Sequence, residues 1–271
     1  MKASELSNPK PVVLKIGGSV ITDKNEEMKA NTQVINRLAT EIKEANVENL
    51  LIVHGGGSFG HPAAKRYNIK EGLKEDSQKI GFTQTHHFMT VLNGLVMDSL
   101  IWHEVLAVSI PPSTLMITRN GRIQSFENAQ IRKLLAMGFL PVLYGDAVLD
   151  SELGFTILSG DQLVAKLAMH LNACRIIIGV DVDGLYDNDP KTGKNAKIYR
   201  YLTLTELKKL HGSIERPMAS DVTGGMYGKI AELIPAVESG IPVTIVNAAK
   251  PNNICMALKG EKVEGTLIEK E

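Results

Sequence analysis

Six short apolar runs rich in β-branched residues, separated by segments of helical period, constrain the fold of this chain more than any other feature. They are VVLKI (12–16), NLLIV (49–53), LAVSI (106–110), FLPVLY (139–144), RIIIGV (175–180) and PVTIV (242–246). Runs this short and this apolar suit strands covered on both faces, so their alternation with helices predicts an α/β fold. The expected architecture is a three-layer αβα sandwich around a mainly parallel central sheet. Val34, Ile35, Leu38 and Ile42 recur at helical spacing behind the cap candidates Asn31 and Thr32, and a longer helical pattern covers 76–105. Asn120-Gly121 and the stretch DSELG before FTIL (155–158) are hairpin signals, so small β-hairpins are expected as additions.

The 271 residues are 44% hydrophobic, enough for one large or two modest domains. Thirty basic residues balance thirty acidic ones, so no excess field recruits nucleic acid or an anionic membrane. An anionic ligand must therefore be held by locally placed groups. Cys174 and Cys255 stand apart without metal or redox spacing and read as buried or inert thiols in a reducing compartment. MKASELSNPK lacks the apolar stretch of a signal peptide, and the expectation is a cytosolic protein. The weakest seam lies near 172–174, which divides the chain into an expected first half (1–172) and second half (173–271).

Glycine gathers where strands end. VHGGGSFGHP (53–62) fits the dinucleotide spacing G-x-G-x-x-G from Gly55 to Gly60, but Glu75 and Asp76 fall off-register for a ribose-binding carboxylate. The phosphate-loop frame also fails, because His61-Pro62 stand where it needs lysine and a hydroxyl residue. The remaining reading is a backbone nest and a helix start near Ser58, both aimed at an anion, with Pro62 in the first turn of that helix. LKIGGSVITDK (14–24) places Lys15 inside an apolar strand, where a cation is costly unless paired. With ILSGDQL (157–163), GVDVDGLYDNDP (179–190) and DVTGGMYGK (221–229), these glycine-rich ends are expected to share the rim where an open α/β sheet takes its ligand. Three lysines, several nests and three aspartates on one rim describe a polyphosphate site. Asp181 and Asp183 could ligate magnesium, or form a turn that positions a nucleotide.

In these motifs, with PVLYGDAVLD (141–150) and the closing EGTLI (264–268), the sequence resembles the amino acid kinase superfamily end to end, and within it the isopentenyl phosphate kinases of archaeal type. The histidine after GGGSFG is the most discriminating match; Gly179-Val180, in place of a more usual threonine before DVDG, is a small departure. The resemblance implies the amino acid kinase-like fold and transfer of the γ-phosphoryl of ATP to isopentenyl phosphate. The acceptor would bind to the first half and ATP to the second. It implies that Lys15, Lys24, His61 and Asp161 carry the reaction, with Lys15 and Lys24 bracketing the phosphoryl, Asp161 fixing the lysines and His61 touching the acceptor phosphate. Gly55, Gly60 and Gly160 would meet the acceptor; Gly17, Gly18, Ser19, Gly56, Asp181, Asp183, Gly225 and Lys229 would meet ATP. Magnesium would be held mainly through nucleotide phosphates, with no dedicated protein site, and the assembly would be a homodimer.

An apolar five-carbon acceptor tail calls for a small greasy pocket, for which Phe82, Thr85, His86 and Ile157 are candidates; core packing is the competing reading of that stripe. Arg66, past His61, could serve an amino acid carboxylate or face solvent. Another acceptor on the same fold (fosfomycin, a carbamate, an amino acid or a nucleoside monophosphate), a non-catalytic nucleotide sensor or store, and a dinucleotide oxidoreductase are the alternatives.

Overall fold

The computed structural model describes residues 9–188, 190–191, 196–212 and 225–271. In chain order the elements are β1 (Val12–Ile16), α1 (Gly18–Ile21), α2 (Thr32–Ala45), β2 (Leu50–His54), α3 (Gly57–Arg66), α4 (Ser77–Trp102), β3 (Ala107–Ser109), β4 (Met116–Arg119) and β5 (Arg122–Phe126). There follow α5 (Ala129–Ala136), β6 (Leu140–Tyr144), β7 (Asp146–Asp150), β8 (Gly154–Leu158), α6 (Gly160–Leu171), β9 (Arg175–Val180), β10 (Leu185–Tyr186), β11 (Ile198–Tyr199) and β12 (Tyr201–Thr203). The chain closes with α7 (Leu204–Gly212), α8 (Gly225–Glu238), β13 (Val243–Asn247), α9 (Asn253–Lys259) and β14 (Gly265–Glu269).

Among the described residues, eight strands form one sheet in the order β12-β14-β13-β9-β1-β2-β6-β3. Neighbours from β13 to β3 are parallel, and only the β13–β14 pairing is antiparallel. All six expected runs are strands, with ends shifted by a residue or so. Because strand side chains alternate faces, the sheet splits the core into two layers. Val13, Leu51, Val53, Ile176 and Ile178 pack on one face with α6 and α8 residues such as Leu163, Leu167 and Leu233. Leu14, Ile16, Ile52 and Ile177 pack on the other with Leu38 and Ile42 of α2, Leu92 of α4 and Ile254 of α9. The helices thus cover both faces, as the apolar strand runs require.

The local signals work as their chemistry dictates. The Asn31 side chain accepts the Val34 N–H at 3.3 Å and opens α2, while Asn46 in the left-handed region closes it. The α2 surface then reaches across the chain. Arg37 and Glu41 form an ion pair on this helix; Glu41 Oε2 accepts the N–H groups of Ile254 (3.0 Å) and Cys255 (3.2 Å), and Arg37 Nη2 donates to the Ala248 carbonyl at 2.6 Å. Of the two thiols expected to be buried or inert, Cys255 is buried and Cys174 is exposed. The surface position follows from its place at the turn between α6 and β9.

The second sheet, β5-β4-β7-β8, contains both expected hairpins. Asn120 and Gly121 have φ of 48° and 76°, the double left-handed turn that Asn-Gly favours. Asp150 at the end of β7 joins the two hairpin turns. It accepts the N–H groups of Asn120 (3.1 Å), Gly121, Glu152 and Leu153 (each 2.9 Å). Burial pushes its carboxyl up, but these donors more than offset that and hold it well below the usual carboxylate range. Asp150→Ala is expected to cost about 2–4 kcal/mol in urea unfolding at neutral pH. A depressed carboxylate stabilises above its unfolded value and stops doing so as it protonates, so the deficit should shrink once the pH drops below about 4.

Candidate active site

The carboxyl ends of β1, β2, β9, β13 and β6 lie on one rim, since these strands are parallel and in register at Ile16↔His54, Ile16↔Gly179, Val246↔Gly179 and His54↔Tyr144. Glycine lets the first two loops touch backbone to backbone. A Cβ on Gly18 would sit 2.2 Å from the Gly57 nitrogen, and one on Gly57, which has φ +48°, would sit 2.1 Å from Thr22 Oγ1. Hydrogen bonds fix the junction: Gly17 N–H to the Gly179 carbonyl (2.8 Å), Gly55 N–H to Ile16 (2.9 Å) and Ser58 N–H to Thr22 Oγ1 (3.0 Å).

This changes the reading of the glycine nest. The amides of Gly17 and Gly55 are committed within the protein, and Gly60 N–H turns back to the Gly56 carbonyl at 3.3 Å. The first N–H groups of α3 and α6, at Gly57 and Gly160, have no intrahelical acceptor by helix geometry and face the rim. Gly18 and Ser19 are the first two residues of the short α1, and Gly56 precedes α3.

Lys15 has the same strand parity as Val13, so its side chain leaves the sheet toward α6, where Asp161 opens the helix behind the Ser159 cap. Lys15 Nζ lies 2.5 Å from Asp161 Oδ1, and Lys229 Nζ on α8 lies 3.5 Å from Asp161 Oδ2. Lys15 and Asp161 are both buried, whereas Lys229 is partly open. Burial pulls the Lys15 ammonium below its usual range, with Asp161 opposing it and Lys229 adding to it. Burial pushes Asp161 up, but the two lysines outweigh it and the carboxyl stays below its usual range. One carboxylate thus holds two cations side by side.

Lys24 stands on the loop between α1 and α2, with its side chain 58% exposed, and pairs at 3.0 Å with Asp181 beyond β9. Asp181 also takes Lys191; burial raises its carboxyl and the two lysines bring it down to about 2. Asp183 is paired with Lys250 at 2.6 Å and accepts from Asn247 at 2.9 Å. No group of three or more His, Cys, Asp or Glu converges for a metal among the described residues. Gly225 is the first residue of α8, while Asp221 to Gly224 lie outside the described residues.

His61 is exposed on the second turn of α3. Pro62 is the sixth residue of that helix, beyond the first turn expected for it. The cost of a proline there is lowered because the Ser58 carbonyl, which has no helical partner opposite Pro62, accepts the Met28 N–H at 3.1 Å. Arg66 does not simply face solvent: its Nη2 meets both carboxylate oxygens of Glu27, at 2.9 and 3.0 Å.

The expected tail pocket separates into two neighbourhoods. Phe82 and Ile157 join Tyr67, Ala64, Ile69 and Phe155 in an apolar cluster, with the Phe82 and Phe155 rings 5.0 Å apart. His86 instead bonds Asp146 at 2.9 Å, a buried carboxyl pushed up to about 6 by its burial. Thr85 is buried, and its hydroxyl has no hydrogen-bond partner among the described residues. Sequence reasoning missed His54, which stacks on Tyr144 at 5.3 Å, is pulled down to about 4 by burial and is therefore neutral. Its position directly before three glycines was the available signal; Lys191 and Lys250 carried none.

The amino acid kinase family model matches residues 10–247. The isopentenyl phosphate kinase of Methanothermobacter thermautotrophicus is 42% identical over 265 residues, spanning 95% of this chain and 98% of its own. A solved isopentenyl phosphate kinase superposes with a TM-score of 0.84 at 39% identity, covering 95% of this chain and 99% of that one. A product complex of the Thermoplasma acidophilum enzyme gives 0.75 at 30%, covering 96% and 100%.

Asp161→Ala would leave the Lys15 ammonium buried beside Lys229 without a counter-charge. Urea unfolding of the ligand-free protein should show a loss of about 3–5 kcal/mol, most of it recovered in Lys15→Met/Asp161→Leu.

Proposed function

The chain belongs to the amino acid kinase family, in its isopentenyl phosphate kinase branch, and from that premise we infer that it transfers the γ-phosphoryl group of ATP to isopentenyl phosphate, giving isopentenyl diphosphate and ADP. The observation that carries this reading is the Lys15–Asp161–Lys229 cluster, buried at Lys15 and Asp161 and partly open at Lys229, at the rim where two glycine loops and two helix N-termini meet. Phosphoryl transfer spreads charge over the moving oxygens, so fixed cations and amides supply most of the catalysis. The acceptor phosphate has a second pKa near about 6, so at neutral pH it attacks as an oxyanion and needs no general base. An acceptor oxygen bonds to the γ-phosphorus as the bond to the β-phosphate oxygen breaks, and ADP leaves with that electron pair.

In this reading Lys15 and Lys24 flank the transferred group, Asp161 holds Lys15 and Lys229 toward it, and His61 donates to the acceptor phosphate. The acceptor occupies the 1–172 half, with Gly55, Gly60 and Gly160 shaping its phosphate site and the Phe82–Ile157 cluster taking its tail. ATP lies on the 173–271 half, near Lys229, Gly225, Asp181 and Asp183, with its phosphates reaching Gly17, Gly18, Ser19 and Gly56. Asp181 and Asp183 are already paired with cations, which fits magnesium carried mainly by nucleotide oxygens and water. Two free thiols fit a cytosolic place of action.

The same reading includes a homodimer. β3 ends the large sheet as an edge strand, and Ile101, Trp102 and Leu106 beside it are exposed, Trp102 by 85%. An open edge flanked by such a patch suits pairing with a second copy. Leu106→Glu with Trp102→Lys should shift the sedimentation coefficient from dimer to monomer.

Purified protein with ATP and an acceptor panel tests the activity. Isopentenyl phosphate should be turned over far faster than glutamate, fosfomycin, carbamate or UMP; equal rates would remove it as the acceptor. Lys24→Ala should lower kcat on the order of 10²–10³-fold while ATP still binds by calorimetry, whereas a sensor would lose only binding.

A further inference from the structure

Lys24 sits on the 22–30 loop, and two features of α3 hold that loop in place. The loop closes on itself at its neck, where Thr22 and Ala30 form an antiparallel bridge and Asp23 N–H bonds the Lys29 carbonyl at 2.9 Å. Its far side turns back at Met28, a non-glycine residue with φ +56°. The Met28 N–H then docks on the Ser58 carbonyl opposite Pro62, and Ser58 Oγ lies 3.4 Å from the Lys29 carbonyl. One residue earlier, Glu27 takes both of its contacts from Arg66 in the last turn of the same helix. Each partner in that pair is more than half exposed, so it adds little to global stability. His61 lies on α3 between the two attachment points.

We propose that the Glu27–Arg66 pair is a positioning device: it straps the 22–30 loop to α3 so that Lys24 and His61, carried by different elements, face the two phosphates as one unit. This rests on the reading of Lys24 as a residue of the transfer site. Arg66 and Glu27 touch neither substrate in this arrangement and act only through the loop. A lysine on a nine-residue loop would otherwise sample many positions around Asp181, and small misplacements of a catalytic cation are expensive in rate. The proline in α3 has a place in the same device, since it frees the carbonyl on which the strap docks.

The test uses the full chain with ATP and isopentenyl phosphate, reading kcat, both KM values and the thermal midpoint. Arg66→Glu and Glu27→Arg should each lower kcat on the order of tenfold with KM for ATP and the midpoint unmoved. The charge-swapped Glu27→Arg/Arg66→Glu protein should recover most of that loss, and Arg66→Lys should fall between. Because the effect passes through Lys24, Arg66→Glu should cost nothing further in a Lys24→Ala background. Undiminished kcat in the single reversals alongside a slow Lys24→Ala would overturn the strap while leaving the transfer site standing. So would a full additional loss on top of Lys24→Ala, or a fall in kcat that tracks a lower midpoint. Normal turnover by Lys24→Ala would overturn both readings at once.

Discussion

One carboxylate organises the centre of this molecule. Asp161 is buried between Lys15 from β1 and Lys229 from α8, so three elements far apart in sequence are held to a common point by charge. A lone lysine in the middle of a fully apolar strand would be untenable; with Asp161 opposite it becomes a fixed cation at the sheet's rim. Two cations on one anion leave a net positive spot, which is the electrostatic condition for drawing phosphate oxygens into a crevice. The rest of the site is arranged around that spot.

Close backbone contact supplies the remainder. The loops after β1 and β2 approach so nearly that side chains are excluded at Gly18 and Gly57, and the first N–H groups of α3 and α6 have no acceptor within their own helices. Several glycine amides are committed to locking the two loops together. Gly17, Gly55 and Gly60 therefore shape the crevice and offer it no amide of their own.

The sheet could be read from the sequence because burial on both faces leaves an unmistakable trace: Val12–Ile16, Arg175–Val180 and their neighbours are apolar almost without break. The hairpins were equally plain, since Asn120-Gly121 has few other uses. Short elements such as β10 to β12 and α9 left too few residues to show a period. The ion pairs were hidden for another reason. Lys24 and Asp181 are 157 residues apart and Glu41 and Ile254 are 213, and no local pattern marks such partners. Arg66 illustrates the limit: helical spacing gave its distance from His61, but its partner Glu27 lay on a loop whose path only tertiary structure defines. The acceptor side was legible by residue type and not by arrangement, because Phe82 and His86 are one helix turn apart yet belong to different neighbourhoods, one apolar and one built on the Asp146 carboxyl.

The grip of α2 on the far end of the chain has a wider meaning. Glu41 caps the start of α9 and Arg37 holds the carbonyl of Ala248, so α2 secures a segment that follows it by more than 200 residues, 213 from Glu41 to Ile254. Glu41 is itself buried, and Arg37 and the two α9 amides are what offset the cost of enclosing its charge. The two distant stretches therefore answer for each other: a change that loosened α9 would strip a buried carboxylate of two donors and be felt at α2, so damage at either place spreads to both.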